Sequence, residues 1–261
     1  MMSSKKNAVV FAYSSVGAEC MKVLLSHPDV NIALVYTHED DPNENRWFAS
    51  VHDLAVEHGI DVLTSEPDYD TVNRIKPDVI FSFYYRKIID MKILSLAPLG
   101  AYNMHGSLLP KYRGRACVNW AVLNGETETG VTLHHMTEYA DRGNIVNQEA
   151  VSIGENDTAI DVFKKIIPAS GRVLSRSLDD ILTGNAIGTP QDESKATKYG
   201  RRRPEDGLID WTKSAREIHN LVRAVTRPYP GAFFYQGNKK VMIWKTRVNG
   251  KSLELIEWEV V

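Results

Sequence analysis

Between Asn7 and about Val151 the chain repeats one pattern: a short apolar run rich in β-branched residues, then a stretch with apolar residues at helical spacing. "NAVVFAY", "VNIALVYTH", "IDVLT" and "PDVIFSFYY" read as strands, and "AECMKVLLSH", "RWFASVHDLAVEHG" and "YDTVNRIK" read as the helices between them. Strands that alternate with helices lie parallel, joined by right-handed crossovers. The expected fold is therefore α/β, a doubly wound, mostly parallel sheet, and ligands on such sheets gather at the carboxyl ends of the strands. With 261 residues, 43% of them hydrophobic and 25% charged, the chain has material for one large domain and a small appendage.

Beyond that region, "TGVTLHHMTEYADRGNIVNQEAVSI" reads as two strands joined by a turn containing Asp141, Gly143 and Asn144. "DTAIDVFKKIIPASGRVLSRSLDDILTGN" has helical spacing, with Pro168 expected to bend it or split it in two. After "KYGRRRPEDG" the texture changes: "SAREIHNLVRAVT" is an amphipathic helix, and "GAFFYQGNKKVMIWKTRV" and "SLELIEWEV" alternate like a hairpin and a third strand. The expected division is residues 1–203 and a helix-plus-strand subdomain at 204–261, too short to bury a large core alone. Its apolar hairpin residues Phe233, Tyr235, Val241, Ile243 and Trp244 call for a partner surface, on the main domain or on a second copy.

Several classes drop out. No run approaches the roughly 20 apolar residues that span a membrane. Met1 to Asn7 does not resemble a signal peptide, so the expected location is cytoplasmic. Cys20 and Cys117 are too few for a disulfide framework or a four-cysteine zinc site. The first strand-to-helix turn, "YSSVGAE", lacks the G-x-G-x-x-G spacing of dinucleotide sites, and no P-loop occurs. A net charge of −2 argues against a long polyanion bound across a broad surface.

The stretch "AYNMHGSLLPKYRGRACVNW" carries the chemistry. On an extended strand Asn103 and His105 share one face while Tyr102 and Met104 take the other. Histidine moves a proton near neutral pH, and an asparagine N–H can stabilise an oxyanion, so the pair suits acyl transfer to an amine. A carboxylate beside the imidazole would orient it, but composition alone does not select which one. His27, His52, His58 and His219 sit in helix-like surroundings and read as structural. His134 and His135 are adjacent on a strand, face opposite ways and form no metal motif.

"NMHGSLLPKYRGRACVNWAVLNGETETGVTLHHMTEYADRGNIV", with "PDVIFSFYYRKII" upstream and "ATKYGRRRPEDGLIDW" downstream, closely resembles the 10-formyltetrahydrofolate-dependent formyltransferases, over most of residues 7 to 235. The resemblance implies a Rossmann-like formyltransferase fold and a catalytic trio of Asn103, His105 and Asp141. It implies a folate pocket formed by Lys87, Ile88, Ile89, Arg115 and the loop of Thr137, Glu138, Tyr139, Ala140 and Asp141, with 10-formyltetrahydrofolate as formyl donor and no metal. Within the family the motifs look most like the enzymes that formylate UDP-4-amino-4-deoxy-arabinose or dTDP-4-amino-4,6-dideoxyhexoses, in lipopolysaccharide or O-antigen biosynthesis. Arg113, Gly114, Lys198, Arg201, Arg202 and Arg203 are the expected contacts to such a nucleotide-linked amino sugar. The alternatives are a methionyl-tRNA formyltransferase and a formyltetrahydrofolate hydrolase. The expected partners are folate and nucleotide sugar, with no nucleic acid or membrane, in a homodimer.

Overall fold

The computed structural model describes residues 5–39 and 48–261. A seven-stranded sheet has the order β3-β2-β1-β4-β5-β7-β8. Its strands are β1 (Lys6–Ala12), β2 (Val30–Tyr36), β3 (Val62–Leu63), β4 (Val79–Phe83), β5 (Ala101–His105), β7 (Glu128–His135) and β8 (Ile145–Ser152). The first five run parallel and β7 and β8 run antiparallel, so the sheet is mostly parallel as expected. The chain builds outward from β1 to β3, then restarts on the other side with β4, and the crevice above this reversal is where such sheets bind ligands.

Alternation along the buried strands sorts side chains into two cores. Ala8, Val10, Phe81, Phe83, Tyr102 and Met104 lie in the core that faces α1 (Ser14–Ser26) and α6 (Ala159–Leu182). Val9, Phe11, Ile80 and Ala101 lie in the opposite core, with residues of α3 (Tyr69–Ile75) and α4 (Met91–Leu94). The predicted helix "RWFASVHDLAVEHG" starts partly outside the described residues, and its described portion is α2 (Val51–Glu57), capped by Ser50.

Pro168 does not divide α6, which runs unbroken for 24 residues. Pro168 and Lys164 are both solvent-exposed, so the carbonyl that loses its partner opens toward water. The buried side carries Ile166, Ala169, Val173 and Leu174, which tie the two halves of the helix to one core. Thr158 and Asp161 form a capping box at its start.

Two short strands from either side of α6, β6 (Arg113–Gly114) just before α5 (Cys117–Leu123) and β9 (Lys198–Tyr199) after α6, pair in parallel. The C-terminal part consists of α7 (Ala215–Val225) and an antiparallel sheet of β10 (Ala232–Gln236), β11 (Lys239–Asn249) and β12 (Ser252–Val260). Phe233, Val241 and Ile243 are buried, and α7 lies against β11 with Ile218, Val222 and Val225 turned inward. The cover predicted for this hairpin is therefore supplied from within the chain, while Tyr235 is 61% exposed. Among the described residues no helix is long and apolar enough to cross a membrane.

Candidate active site

Asn103 and His105 end β5 on the face opposite Tyr102 and Met104, as alternation requires. Antiparallel pairing sets Asn103 directly across from His134 of β7. His134 Nδ1 donates to the His135 carbonyl at 2.8 Å, which leaves Nε2 to accept from Asn103 Nδ2 at 3.1 Å. One amide hydrogen of Asn103 is thereby held and the other is left to donate elsewhere. Burial, reinforced by the neighbouring His105 and opposed by Asp141, pulls the His134 pKa down to about 4, so its ring stays neutral and keeps accepting.

His105 is buried, and its Nε2 donates to the Tyr112 carbonyl at 2.8 Å. That bond assigns the tautomer: Nδ1 is the open nitrogen, and it faces Asp141 Oδ1 at 3.4 Å. Asp141 adopts a left-handed backbone with φ of 60°, and its other oxygen accepts from Gly114 N at 2.8 Å. A proton arriving at Nδ1 would lie between the ring and a carboxylate already anchored on a backbone amide. Gly106 follows because any Cβ there would overlap the Tyr84 hydroxyl. The structure thus brings Asn103, His105 and Asp141 together and adds His134, one of the two adjacent histidines that strand alternation points to opposite faces.

The loops expected to meet folate converge through 113–115. Gly114 holds Asp141, and Arg115 Nη2 donates to the Arg86 carbonyl at 3.2 Å, so three loops share one edge. Ile88 is 81% exposed and Tyr139 is 62% exposed at this edge, with Glu138 and Ala140 also exposed. Ile89 is turned into the core beside Ile93 and Leu94, so only its backbone is available to a ligand. Lys87 Nζ is paired with Glu66 at 2.7 Å, and Thr137 Oγ1 donates to the Tyr139 carbonyl. Beside them His38 stacks on Tyr85 at 4.4 Å, and Arg86 lies 4.3 Å over the Tyr13 ring, an aromatic group at the strand reversal that the sequence reading did not single out. Among the described residues no group of three or more potential ligands could hold a metal ion.

The formyl transferase profile matches residues 6–178, and the profile of the formyl transferase C-terminal domain matches residues 202–255. The chain belongs to the formyl transferase family. Its fold is shared with an N-formyltransferase from Helicobacter canadensis in complex with folinic acid and dTDP-3-aminofucose (TM-score 0.77, 22% identity, 94% of this chain and 88% of the other). A 4-N formyltransferase from Francisella tularensis matches with TM-score 0.70, 19% identity and 96% of each chain. A methionyl-tRNA formyltransferase from Clostridium thermocellum matches with TM-score 0.65, 16% identity, 98% of this chain and 99% of the other.

In this formyl transferase the six residues expected to meet the acceptor do not form one patch. Arg113 is 4% exposed, and its guanidinium is spent on Gln191 Oε1 (3.2 and 2.7 Å) and on the Glu193 carboxylate (2.9 and 2.7 Å). Four of its five N–H groups are thereby taken, in a buried position. Gly114 serves Asp141, and a Cβ on it would overlap the Tyr199 carbonyl. Arg202 is half-buried, 4.7 Å over the Trp120 ring, with Nη2 donating to the Asp206 carbonyl. Lys198, Arg201 and Arg203 present exposed side chains.

Proposed function

We propose that this formyl transferase moves the formyl group of 10-formyltetrahydrofolate to the amine of a nucleotide-linked 4-amino-4-deoxy or 4-amino-4,6-dideoxy sugar, in lipopolysaccharide or O-antigen biosynthesis. The observation that carries the reading is His105, tied at Nε2 to the Tyr112 carbonyl so that Nδ1 opens toward Asp141. The folate, when bound, supplies a formyl group already activated on nitrogen. Its expected edge fits a flat ring system, because Ile88 and Tyr139 expose apolar surface where the backbone of three loops converges.

The chain's own groups then have distinct tasks. Nδ1 of His105 takes the proton that the attacking amine loses and returns it to the departing nitrogen of the donor. Asp141 stabilises the imidazolium that exists between these transfers. The second Nδ2 hydrogen of Asn103 donates to the oxygen on which negative charge develops.

For the acceptor, Lys198, Arg201 and Arg203 suffice for a diphosphate, whereas a tRNA calls for a wider basic surface than a chain of net charge −2 provides. The complex of the Helicobacter protein supports a folate donor and a nucleotide-sugar acceptor, and the Francisella protein supports attack by a 4-amine. The test is a panel of 3- and 4-amino sugar nucleotides, linked to UDP or dTDP, incubated with the folate donor and read by mass for one added formyl group. Formylation of Met-tRNA instead, or release of free formate without an acceptor, would replace this reading with one of the two alternatives.

The same reading includes a cytoplasmic homodimer. With the hairpin covered by α7, the surface that supports it is β12, an edge strand on which Ile256, Trp258 and Val260 are 39%, 55% and 51% exposed at every second position.

A further inference from the structure

The segment that follows α6, residues 191–199, bonds to the backbone on both sides of the His105–Asp141 pair. Gln191 is its first anchor. Its Nε2 donates both to the Asp141 carbonyl (2.9 Å) and to the Gly143 carbonyl (2.8 Å), clamping the turn on which Asp141 holds its left-handed backbone. A non-glycine residue in that region persists only when its surroundings impose it. The Gln191 amide is itself oriented, because Oε1 accepts from Arg113 Nε and Nη2, and Arg113 is braced by Glu193.

Thr197 is the second anchor, and it works on the other partner. Tyr112 N donates to Thr197 Oγ1 at 2.8 Å, and Tyr112 also has a left-handed φ of 60°. Arg113 N donates to the Thr197 carbonyl at 2.9 Å, and Thr197 N donates to the Pro110 carbonyl at 3.2 Å. These bonds hold the peptide whose carbonyl accepts from His105 Nε2. Pairing of β6 with β9 then closes the segment against Gly114, the residue that anchors the Asp141 carboxylate.

We propose that segment 191–199 is a positioning strap that sets both members of the proton-transfer pair: Gln191 through the backbone of Asp141, and Thr197 through the Tyr112 peptide that fixes the tautomer of His105. Each acts through another residue. The strap also explains the buried Arg113, which orients Gln191.

The strap rests on the formyl-transfer reading for its kinetic consequence but not for its structural one. Gln191→Glu keeps an acceptor for Arg113 and removes both amide donors, and Thr197→Val removes only the hydroxyl. Each is expected to lower kcat tenfold or more, well below its melting temperature, with KM for donor and acceptor within twofold of the parent. Thr197→Ser restores kcat to within threefold, and Thr197→Val shifts the pH profile of kcat because the imidazole has lost its fixed orientation. In ¹⁵N-histidine-labelled protein the His105 Nε2 proton is protected from exchange, and this protection is lost in Thr197→Val. Unchanged kcat in both variants, a rise in KM with kcat preserved, or Thr197→Ser no better than Thr197→Val each overturns the strap. A parent enzyme that transfers no formyl group defeats the reading of function alone, and the exchange measurement still judges the strap.

Discussion

His134 shows how little separates a structural histidine from one that prepares catalysis. Its burial keeps the ring neutral, and a neutral ring is what can accept from Asn103. The unfolded ring titrates near 6.5 and the folded one near 4, so between these values the unfolded chain binds a proton that the native chain refuses. Stability is therefore full above pH 6.5 and falls as pH drops toward 4. His38, also lowered to about 4 by burial and by Arg86 and Lys87, acts in the same window. The urea midpoint is expected to be lower at pH 5 than at pH 7.5, with a flatter dependence in His134→Gln; equal slopes would show that His134 is not the group responsible. For the trio, His105→Ala is expected to cost roughly 10²–10⁴-fold in kcat and Asn103→Ala about 2.7–4 kcal/mol of transition-state stabilisation. Because the three residues act as a unit, the double variant His105→Ala/Asp141→Ala should be little worse than the worse single one. Additive losses in stopped-flow or steady-state rates would separate the pair that the 3.4 Å contact joins.

At the scale of elements, the three successive arginines and Arg113 divide by what packs on them. Arg113 is sealed under Gln191 and Glu193, and Arg202 rests on the Trp120 ring, which itself lies against Tyr199 at 5.0 Å. Arg201 and Arg203 project from the turn before the short helix Pro204–Gly207. A charge-assisted bond to phosphate contributes roughly 1.5–3 kcal/mol, so Arg201→Ala and Arg203→Ala are expected to raise the acceptor KM about tenfold or more without changing the folate KM. Arg113→Ala should do the reverse, lowering kcat and the melting temperature with the acceptor KM nearly constant. Steady-state kinetics on the three variants decide between these assignments, and an acceptor KM effect confined to Arg113→Ala would return the diphosphate to that residue. The motif "YRGRA" lies in the loop whose Gly114 anchors Asp141, but which of its arginines faces outward depends on Gln191 and Glu193, residues about 80 positions along the chain.

For the whole molecule, the open question is what meets β12. An exposed edge with Ile256, Trp258 and Val260 invites pairing with a second copy, and Trp258→Asp is expected to turn a dimer into a monomer in sedimentation equilibrium while formyl transfer persists. A monomeric parent protein at micromolar concentration removes the interface. The doubly wound sheet, the placement of Asn103 and His105 on one face and the amphipathic α7 were all legible in the sequence, since each follows from a period of 2 or 3.6 that a chain must satisfy wherever it folds. The unbroken α6 was not, because the cost of Pro168 depends on whether the carbonyl of Lys164 opens toward water or toward the core. Nor was the covering of the hairpin by α7, or the part played by His134, Gln191 and Thr197. Local pattern determines which side of its own element a residue occupies. The register of β5 on β7 and the return of segment 191–199 onto β6 bring together residues between 31 and 85 positions apart, and contacts at such separation are decided only when the packed tertiary structure offsets the entropy of closing those loops.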